Sequence, residues 1–268
     1  MSDVILIDEV EPGVRRLTLN RPETLNAFTF PMYLALLDAL AEIARDPSVR
    51  VVILTGAGRG FCSGHDLKQA GPSPFAADGL GKLYAARHDL AGLAAIPVAM
   101  RKLPQPIISA VNGTAAGIGY TLTLAADMAI AARSAKFVNT IHNAATGAEL
   151  GMSYLLPRAV GSQRAAELLY TARPVLADEA ERIGLVVRTV DDDQLIESAL
   201  EIARGIIANV PMGIWLTKQS LWLNETAGSL EAAIELESRA VQIAQATDDA
   251  AEKRASFWEK RPPGFTNS

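Results

Sequence analysis

Two glycine-rich segments follow short apolar runs, and each ends where a helix is expected to begin. They are residues 51–67, VVILTGAGRGFCSGHDL, and residues 106–119, PIISAVNGTAAGIG. Because glycine adopts positive φ at no steric cost, such turns can direct backbone N–H groups to one point. Two N–H groups on one carbonyl oxygen form an oxyanion hole, and losing one donor costs about 3 kcal/mol of transition-state stabilisation. On the residues alone, turns that only connect strands to helices fit equally well.

The first segment also resembles a nucleotide-binding loop, but incompletely. Gly56, Gly58 and Gly60 nearly form the dinucleotide fingerprint, yet Phe61 stands at its last glycine position. No acidic residue ends a strand about 20 residues further on, as that fingerprint requires. No Walker A sequence occurs. Dinucleotide binding and P-loop chemistry are therefore disfavoured.

Nucleophilic and metal chemistry fit the sequence poorly. Ser63 and His65 do not have the spacing of the G-x-S-x-G elbow of hydrolases. Cys62 lies inside an apolar turn and is predicted to be a small core residue. The three histidines, His65, His88 and His142, show no metal-ligand spacing, so we expect no metal site.

The composition is that of an ordinary globular protein of 268 residues, 49% of them hydrophobic and 21% charged. The single cysteine permits no disulfide within the chain, as is usual in a reducing compartment. A formal charge of -5 disfavours general nucleic-acid binding. The acidic N-terminus does not resemble a targeting signal, and no apolar run reaches the length of a membrane span. We expect a cytoplasmic protein with neither membrane nor nucleic-acid partners.

Hydrophobic periodicity predicts an α/β chain of repeated strand, strand and helix units up to residue 208. A hairpin is expected over residues 4–19, and a helix over residues 31–44 with a buried stripe of Leu37, Leu40, Ala41 and Ala44. Another helix is expected to begin after Asp66. Further expected elements are a Pro/Gly-rich loop at 70–81, a helix at 83–101 kinked near Pro97, strands at 106–111, 127–132, 136–138 and 186–190, and helices at 120–126, 161–171, 176–183 and 191–208.

The last part of the chain is predicted to be entirely helical, with helices over residues 213–223, 229–246 and 248–260. This change of architecture divides the chain into a core, residues 1–208, which carries the site, and a tail, residues 209–268. A helical tail of this kind is more naturally a subunit contact than a second catalytic domain. Its apolar stripe consists of Leu230, Ile234, Val241 and Ala244.

Several short motifs together resemble the enoyl-CoA hydratase/isomerase (crotonase) superfamily over nearly the whole chain. They are NRP at 20–22, LNA at 25–27, residues 53–67, AVNG at 110–113, AGIG at 116–119, LPR at 156–158, VG at 160–161, EL at 167–168 and FWEKR at 257–261. The resemblance implies the ClpP/crotonase fold, a spiral of ββα units with a C-terminal helical trimerisation region. It implies a homotrimer, or a hexamer built as a dimer of trimers. The implied substrate is an acyl-CoA thioester of fatty acid metabolism, in which coenzyme A is part of the substrate and no separate cofactor is needed.

The resemblance also assigns site residues. The N–H groups of His65 and Ile118 occupy the positions of the oxyanion hole. Phe257 and Lys260 fall where the family's last helix reaches the coenzyme A phosphate of a neighbouring subunit. The full set of expected substrate- and CoA-binding residues is Leu25, Ala27, Ser63, Gly64, Asp66, Leu67, Gly117, Thr121, Ile141, Phe257 and Lys260.

The expected catalytic carboxylate differs from that of the family's hydratases. Their two glutamate positions hold Thr121 and Ile141 here, and neither side chain can act as an acid or base near neutral pH. Eight residues past Ile141 stands Glu149, where dienoyl-CoA isomerases and chlorobenzoyl-CoA dehalogenases of the superfamily have a catalytic aspartate. Alternatively, Glu149 only stabilises the dipole of the following helix, an effect below about 1 kcal/mol. His142 is expected to support the site without touching the substrate.

A single carboxylate favours moving a proton between two carbons over adding water, which must be both oriented and deprotonated. We therefore predict double-bond isomerisation through Glu149. Hydration by Glu149 alone, with Thr121 helping to hold the water, stays an alternative, as does a catalytically silent acyl-CoA-binding protein. The loop at 70–81 and the helix at 83–101, which we expect to line the acyl pocket, carry Tyr84 and several Leu and Ala residues and suggest only an apolar acyl chain.

Overall fold

The main sheet begins with the expected hairpin and continues through parallel strands. In this computed structural model, residues 4–69, 73–76, 79–141 and 146–268 are described. Strands β1 (Ile5–Glu11) and β2 (Val14–Leu19) pair antiparallel. The strands β3 (Val51–Gly56), β5 (Ile107–Val111), β7 (Met128–Ala132) and β10 (Arg188–Val190) then add in parallel. The strand order is β1-β2-β3-β5-β7-β10.

A second, smaller sheet is formed mainly by the short strand that follows each parallel strand of the main sheet. It contains β4 (Gly60–Cys62), β6 (Thr114–Ala116), β8 (Lys136–Val138) and β9 (Val175–Leu176), in the order β4-β6-β8-β9. The first three of these strands are parallel, and β9 is antiparallel to β8. Consecutive strand pairs β3/β4, β5/β6 and β7/β8 thus place one strand in each sheet. This repetition is the spiral that the sequence resemblance implied.

Eleven α-helices lie in the described chain. They are α1 (Phe30–Ile43), α2 (Lys82–Leu93), α3 (Ala95–Lys102), α4 (Ile118–Ala125), α5 (Met152–Val160), α6 (Ser162–Thr171), α7 (Ala177–Arg182), α8 (Leu195–Ile207), α9 (Pro211–Asn224), α10 (Leu230–Gln245) and α11 (Asp248–Glu259). The three predicted tail helices agree with α9 to α11 within two residues at each end. Short 3-10 helices occupy Pro22–Thr24 and Asp192–Gln194.

The main sheet is covered on both faces, so its central strands are apolar throughout. Along β3, Val52 and Leu54 face the larger core with α1, α3 and α4. Val51 and Ile53 face a smaller core, which α8 closes with Leu195, Ala199 and Ala203. Such a fully buried strand reads as a continuous apolar run instead of an alternating pattern.

Three sequence-based expectations are wrong. No helix begins after Asp66, because the chain makes only a turn there and the next helix is α2. The helix predicted over 83–101 is broken at Ala94, between α2 and α3, and not at Pro97. Pro97 lies in the first turn of α3. Backbone N–H groups there have no intrahelical acceptor, so the missing N–H of proline costs no hydrogen bond.

The third error concerns the buried face of α1. Leu40 is buried as predicted, but Ala41 and Ala44 are exposed. The residues that face the core are Met32, Tyr33, Leu36, Ala39, Leu40 and Ile43. The observed buried face is shifted by one residue toward the N-terminus of α1 relative to the predicted one, and it includes Tyr33.

The helical tail is tied to the core by a buried ion pair. Lys218 Nζ of α9 lies 2.7 Å from Asp127 Oδ2, and it also donates hydrogen bonds to the carbonyl oxygens of Met100 and Gln105. The division at residue 208 stays a prediction. Among the described residues, no single helix is long and apolar enough to span a bilayer, and one pair that passes by length and composition, Asp192–Ile207 with Pro211–Asn224, is bent by 107°.

Candidate active site

The two glycine turns leave the same edge of the small sheet and meet. Cys62 at the end of β4 is paired with Ala115 of β6. His65 lies three residues after Cys62, and Ile118 lies three residues after Ala115. Gly64 has φ 108° and Gly117 has φ 51°. A Cβ on Gly117 would lie 3.5 Å from the Cα of Gly64. The residues that precede His65 and Ile118 are therefore in direct contact.

The backbone around these two residues leaves both N–H groups unused. Phe28 N–H donates to the Gly64 oxygen at 2.8 Å, and Asp66 N–H donates to the Phe28 oxygen at 2.8 Å. These two hydrogen bonds use the Gly64 oxygen and the Asp66 N–H, on either side of His65, and do not use the His65 N–H. Ile118 begins α4, and the first N–H groups of a helix have no intrahelical acceptor. In the described chain, neither N–H donates to another residue, so both can donate to a ligand oxygen.

Two asparagine side chains, buried Asn26 and partly exposed Asn112, hydrogen-bond to the backbone of the first turn. Asn26 Nδ2 donates to the carbonyl oxygens of Ala57 and Gly60, at 2.9 and 2.7 Å. Asn112 Oδ1 accepts from Gly56 N–H at 3.1 Å, and its Nδ2 donates to the Gly58 oxygen. These hydrogen bonds constrain the conformation of the loop that carries the three glycines.

An ion pair ties the loop at residues 20–27 to the chain after the first turn. Arg21 Nη1 lies 2.9 Å from Asp66 Oδ2 and also donates to the Ala27 oxygen at 2.6 Å. The Arg21 hydrogen bond, followed by the Lys68 N–H bond, lowers the pKa of the Asp66 carboxyl. The Asp66 carboxylate is engaged in a structural contact, so its expected place on the coenzyme A path rests on position alone.

The other residues expected along the coenzyme A path surround the same loop. Leu25 has φ 53°, and its carbonyl oxygen accepts from Ser63 N–H at 2.9 Å. Ser63 Oγ donates to the Thr24 oxygen at 3.0 Å. Ala27 is buried, whereas the Leu67 side chain is 91% exposed. An exposed leucine beside the turn suits contact with a ligand lying across the surface.

Glu149 lies before α5 without capping it. Its side chain is exposed, no side chain caps the N-terminus of α5, and only the Glu149 carbonyl oxygen accepts from Met152 N–H at 2.9 Å. The carboxylate makes no hydrogen bond or ion pair within the described residues. It is therefore available to a substrate, and direct hydrogen-bonded capping does not explain it.

Tyr33 packs beside the first turn. Its ring lies 6.0 Å from the His65 ring, between centroids. Burial is the main cause that raises the pKa of Tyr33, with smaller effects of Cys62, Glu149 and Asp89. Sequence reasoning missed Tyr33 because the predicted stripe of α1 did not include it.

An aromatic cluster surrounds the His65 side chain. Phe28 packs edge-on to Tyr33 at 5.0 Å, Phe30 lies 5.6 Å from His65, and Phe75 lies 6.5 Å from Tyr33. Phe30 and Phe75 are partly exposed and His65 is exposed, so this cluster lines open space beside the turn.

The positions of the two absent glutamates are buried. Thr121 is 1% exposed within α4, and Ile141 is 9% exposed. The neighbouring Thr140 was not anticipated, and its Oγ1 would lie 2.9 Å from a Cβ on Gly117. A hydroxyl thus stands directly beside the second turn. His142 lies outside the described residues.

Two predicted site residues are not brought to the turns within one chain. Phe257 is 72% exposed near the end of α11, and Lys260 follows that helix with φ 56°. No hydrogen bond, ion pair or ring contact joins either of them to the turns in the described chain. They contribute to a site only if they reach one on another subunit.

Cys62 lies at the end of β4 with its thiol buried. Burial raises the pKa of the Cys62 thiol to about 12, and the side chain is fully buried, which confirms it as a core residue. In residues 4–69, 73–76, 79–141 and 146–268, no group of three or more His, Cys, Asp or Glu side chains is placed to hold a metal ion.

Two adjoining turns with free N–H groups can present both donors to one oxygen atom of a ligand. The comparisons with known proteins identify the family of the chain. The family profile described as Enoyl-CoA hydratase/isomerase matches residues 9–268. The chain belongs to the enoyl-CoA hydratase/isomerase family.

Individual relatives carry both activity names. The chain is 44% identical over 266 residues to a probable enoyl-CoA hydratase of Mycobacterium bovis, covering 98% of this chain and 93% of that protein. It is 38% identical over 268 residues to the 1,2-epoxyphenylacetyl-CoA isomerase of Escherichia coli, covering 97% and 98%. A crystal structure of a probable enoyl-CoA hydratase/isomerase from Mycobacterium abscessus superposes with a TM-score of 0.90 at 39% identity, covering 99% of both chains.

Proposed function

We propose that this chain holds the carbonyl of an acyl-CoA thioester between the N–H groups of His65 and Ile118 while Glu149 moves a proton. The observation that supports the proposal is the proximity of Gly64 and Gly117, each of which precedes a residue whose N–H donates to no described residue. Donors fixed in this way stabilise negative charge on the oxygen without reorganising during the reaction. The family that the chain belongs to supplies the thioester class of substrate.

Proton transfer by Glu149 then shifts a double bond. The carboxylate removes a proton from C2 of a 3-enoyl-CoA, the carbon bonded to the thioester carbonyl carbon, and the electron pair of the broken C–H bond moves toward the carbonyl oxygen. The resulting enolate accepts hydrogen bonds from His65 N–H and Ile118 N–H. Glu149 returns the same proton to another carbon, so atoms and charge balance. The exposed, unpaired Glu149 carboxylate supports this assignment.

Hydration is the second candidate, because the names of relatives include both hydratase and isomerase. In that reaction Glu149 deprotonates a water molecule that adds to the double bond. Thr121, which is deeply buried, and Thr140, beside Gly117, are the neighbouring hydroxyl groups able to hold that water. Isomerisation is preferred because Glu149 is the one carboxylate that the family pattern places at the thioester.

Purified protein offered 2-enoyl-, 3-enoyl- and dienoyl-CoA substrates tests the proposal through the absorbance of the conjugated thioester. Appearance of the chromophore from 3-enoyl-CoA supports isomerisation. Rapid loss of the 2-enoyl chromophore without isomerase activity would establish hydration instead. Acyl-CoA binding by calorimetry with no turnover of any of the three would make the chain a silent binding protein.

The remaining parts of the proposal concern coenzyme A and assembly. Leu25, Ala27, Ser63, Gly64, Asp66 and Leu67 line the path of coenzyme A, which enters as part of the substrate. The chain forms a homotrimer or a dimer of trimers, in which Phe257 and Lys260 reach a neighbouring site. We also infer that the protein acts in the cytoplasm. The exposed Leu67, Phe257 and tail leucines support the surface contacts that this assembly requires.

A further inference from the structure

Thr140 follows the end of β8, at the register position beside Ile118. Strands β6 and β8 are parallel, with Ala116 opposite Val138. Gly117 N–H, just beyond β6, donates to the Val138 oxygen at 3.2 Å. Continuing this register by two residues on each chain segment places Thr140 alongside Ile118. The chain after β8 is therefore the direct neighbour of the second glycine turn.

The Thr140 side chain is turned away from the core. Phe137 and Asn139 are buried, whereas Val138 and Thr140 are partly exposed, as the alternation of side chains along a strand requires. The buried Asn139 Oδ1 accepts a hydrogen bond from Ile141 N–H at 3.2 Å, which closes a turn around Thr140. The backbone on both sides of Thr140 is thus constrained.

The Thr140 hydroxyl lies on the side to which Ile118 N–H points. Thr140 Oγ1 is 2.9 Å from the position that a Cβ on Gly117 would occupy. Because ψ of Gly117 is −118°, that position is nearly eclipsed with the Ile118 nitrogen about the Cα–C bond. In a trans peptide the N–H lies on the same side as the preceding Cα, so it is directed past this position. A ligand oxygen bound to Ile118 N–H therefore lies beside the Thr140 hydroxyl.

The first turn meets the same position. The Gly64 Cα lies 3.5 Å from the Cβ position of Gly117, and His65 N–H follows directly after Gly64. Two backbone N–H groups and one hydroxyl group thus adjoin a single space. A real side chain on Gly117 would fill this space, which is a reason beyond backbone strain for glycine there.

Resting on the proposed function, we propose that the Thr140 hydroxyl is a third hydrogen-bond donor to the thioester oxygen. The hydroxyl keeps its proton throughout, so it stabilises the enolate while Glu149 alone transfers the proton. A hydrogen bond to a charged oxygen is roughly twice as strong as one between neutral groups. The contribution of Thr140 therefore grows from the bound thioester to the enolate, and it acts mainly on kcat.

Two variants separate the hydroxyl from the shape of the side chain. Thr140→Val keeps the shape and removes the hydroxyl, whereas Thr140→Ser keeps the hydroxyl and removes the methyl group. We expect Thr140→Val to lower kcat for 3-enoyl-CoA isomerisation about tenfold or more, with little change in the Kd of butanoyl-CoA. Thr140→Ser should retain most of the parent kcat. Activity kept in Thr140→Val and lost in Thr140→Ser would assign Thr140 to packing against Gly117 and overturn the inference.

An infrared measurement detects the same hydrogen bond without turnover. Butanoyl-CoA labelled with carbon-13 at the thioester carbonyl is bound to the parent protein and to each variant, and its carbonyl band is isolated by isotope-edited difference spectra. Each hydrogen bond to the oxygen lowers the stretching frequency. We expect the band to shift to higher frequency in Thr140→Val and to stay at the parent position in Thr140→Ser. An identical band in the parent and in Thr140→Val would overturn the inference.

These readouts distinguish failure of this inference from failure of the proposed reaction. The frequency shift in a protein that does not isomerise 3-enoyl-CoA supports the third donor and overturns only the isomerase proposal. Isomerisation that depends on Glu149 but is equally fast in Thr140→Val overturns only the third donor. If Thr140→Val slows hydration of 2-enoyl-CoA and leaves the carbonyl band unchanged, Thr140 holds the water molecule, and the inference is overturned.

Discussion

The Glu149 carboxylate is exposed and forms no hydrogen bond in the described chain. A carboxylate that only stabilised the dipole of α5 would contribute less than about 1 kcal/mol to stability and nothing to turnover. The two roles therefore differ in what removal of the charge does to turnover and to stability.

Glu149→Gln is expected to lower kcat by about a hundredfold or more, the usual scale for a positioned acid or base. Because the side chain makes no internal contact in the described chain, the melting temperature and acyl-CoA Kd should change little. Glu42→Gln, an exposed change on α1, is the control for loss of one carboxylate. Full activity of Glu149→Gln would leave only the helix-dipole role.

Sequence reasoning identified residues of the site unequally. Glu149, His65 and Ile118 were found because short motifs fix their positions along the chain, although their roles stay predictions. Tyr33 was missed because it belongs to a helix face whose direction depends on tertiary packing. The apolar pattern of α1 permits two adjacent stripes, and only the sheet beneath it selects the one with Tyr33.

At the scale of elements, the site depends on two turns that must keep their backbone conformation. Gly117 has φ 51° and ψ −118°, and the second turn lies against the first and against Thr140. A side chain at this position would strain the backbone and push on both neighbours. The direction of Ile118 N–H would change with it.

Gly117→Ala is expected to lower kcat by about a hundredfold, comparable to the loss of one oxyanion-hole donor. The Kd of a saturated acyl-CoA should rise much less, because the hole acts mainly on the transition state. Gly161→Ala is the matched control, since Gly161 also has positive φ, 80°, but no atom lies within 4 Å of its Cβ position. Equal losses of kcat in the two variants would mean that backbone strain alone, and not the hole, is responsible.

The ion pair between Arg21 and Asp66 predicts a pH dependence of stability. Arg21 lowers the folded-state pKa of Asp66, so the ionised carboxylate stabilises the folded chain above its unfolded pKa, about 4. This contribution is lost as pH falls through the lowered folded pKa. Denaturant unfolding should therefore show Asp66→Asn as less stable than the parent at pH 7, with the difference shrinking toward pH 3.

The control for this pH dependence is Asp38→Asn, which removes an exposed carboxylate that forms no ion pair in the described chain. This variant shows how much of the stability change comes from the loss of one negative charge alone. A stability difference for Asp66→Asn that stays constant between pH 7 and pH 3 would contradict the role of the ion pair.

The helices and strands that could be predicted best from the sequence are those with an apolar periodicity over many residues. The hairpin and the tail helices were placed almost to the residue, because their apolar periodicity extends over many positions. Strands β4 and β6, of three residues each, are predicted only as parts of the glycine turns, whereas β8, of the same length, is predicted as a strand. The sequences Gly-Phe-Cys and Thr-Ala-Ala lie next to glycines and give little strand signal of their own, and their pairing depends on residues far away in sequence.

At the scale of the whole molecule, the tail is anchored on one side and apolar on the other. Lys218 and Asp127 join α9 to the core, and side chains of α10 remain uncovered in the single chain. Leu230, Ile234 and Val241 are 72%, 50% and 51% exposed. Apolar residues clustered on one exposed face usually mark a contact with another protein. Trimerisation, implied by the resemblance, would cover them.

Ile234→Glu is expected to dissociate the assembly, because it places a charge on this uncovered face while leaving the fold of one chain intact. Light scattering at micromolar concentration should show a trimer or hexamer for the parent protein and smaller species for the variant. Ala232→Glu is the control, because Ala232 is also exposed but lies about 160° around α10 from Ile234. If Phe257 and Lys260 reach a neighbouring site, the variant should also bind acyl-CoA more weakly than the control. A parent protein that is monomeric under these conditions would contradict both the assembly and the role of those two residues.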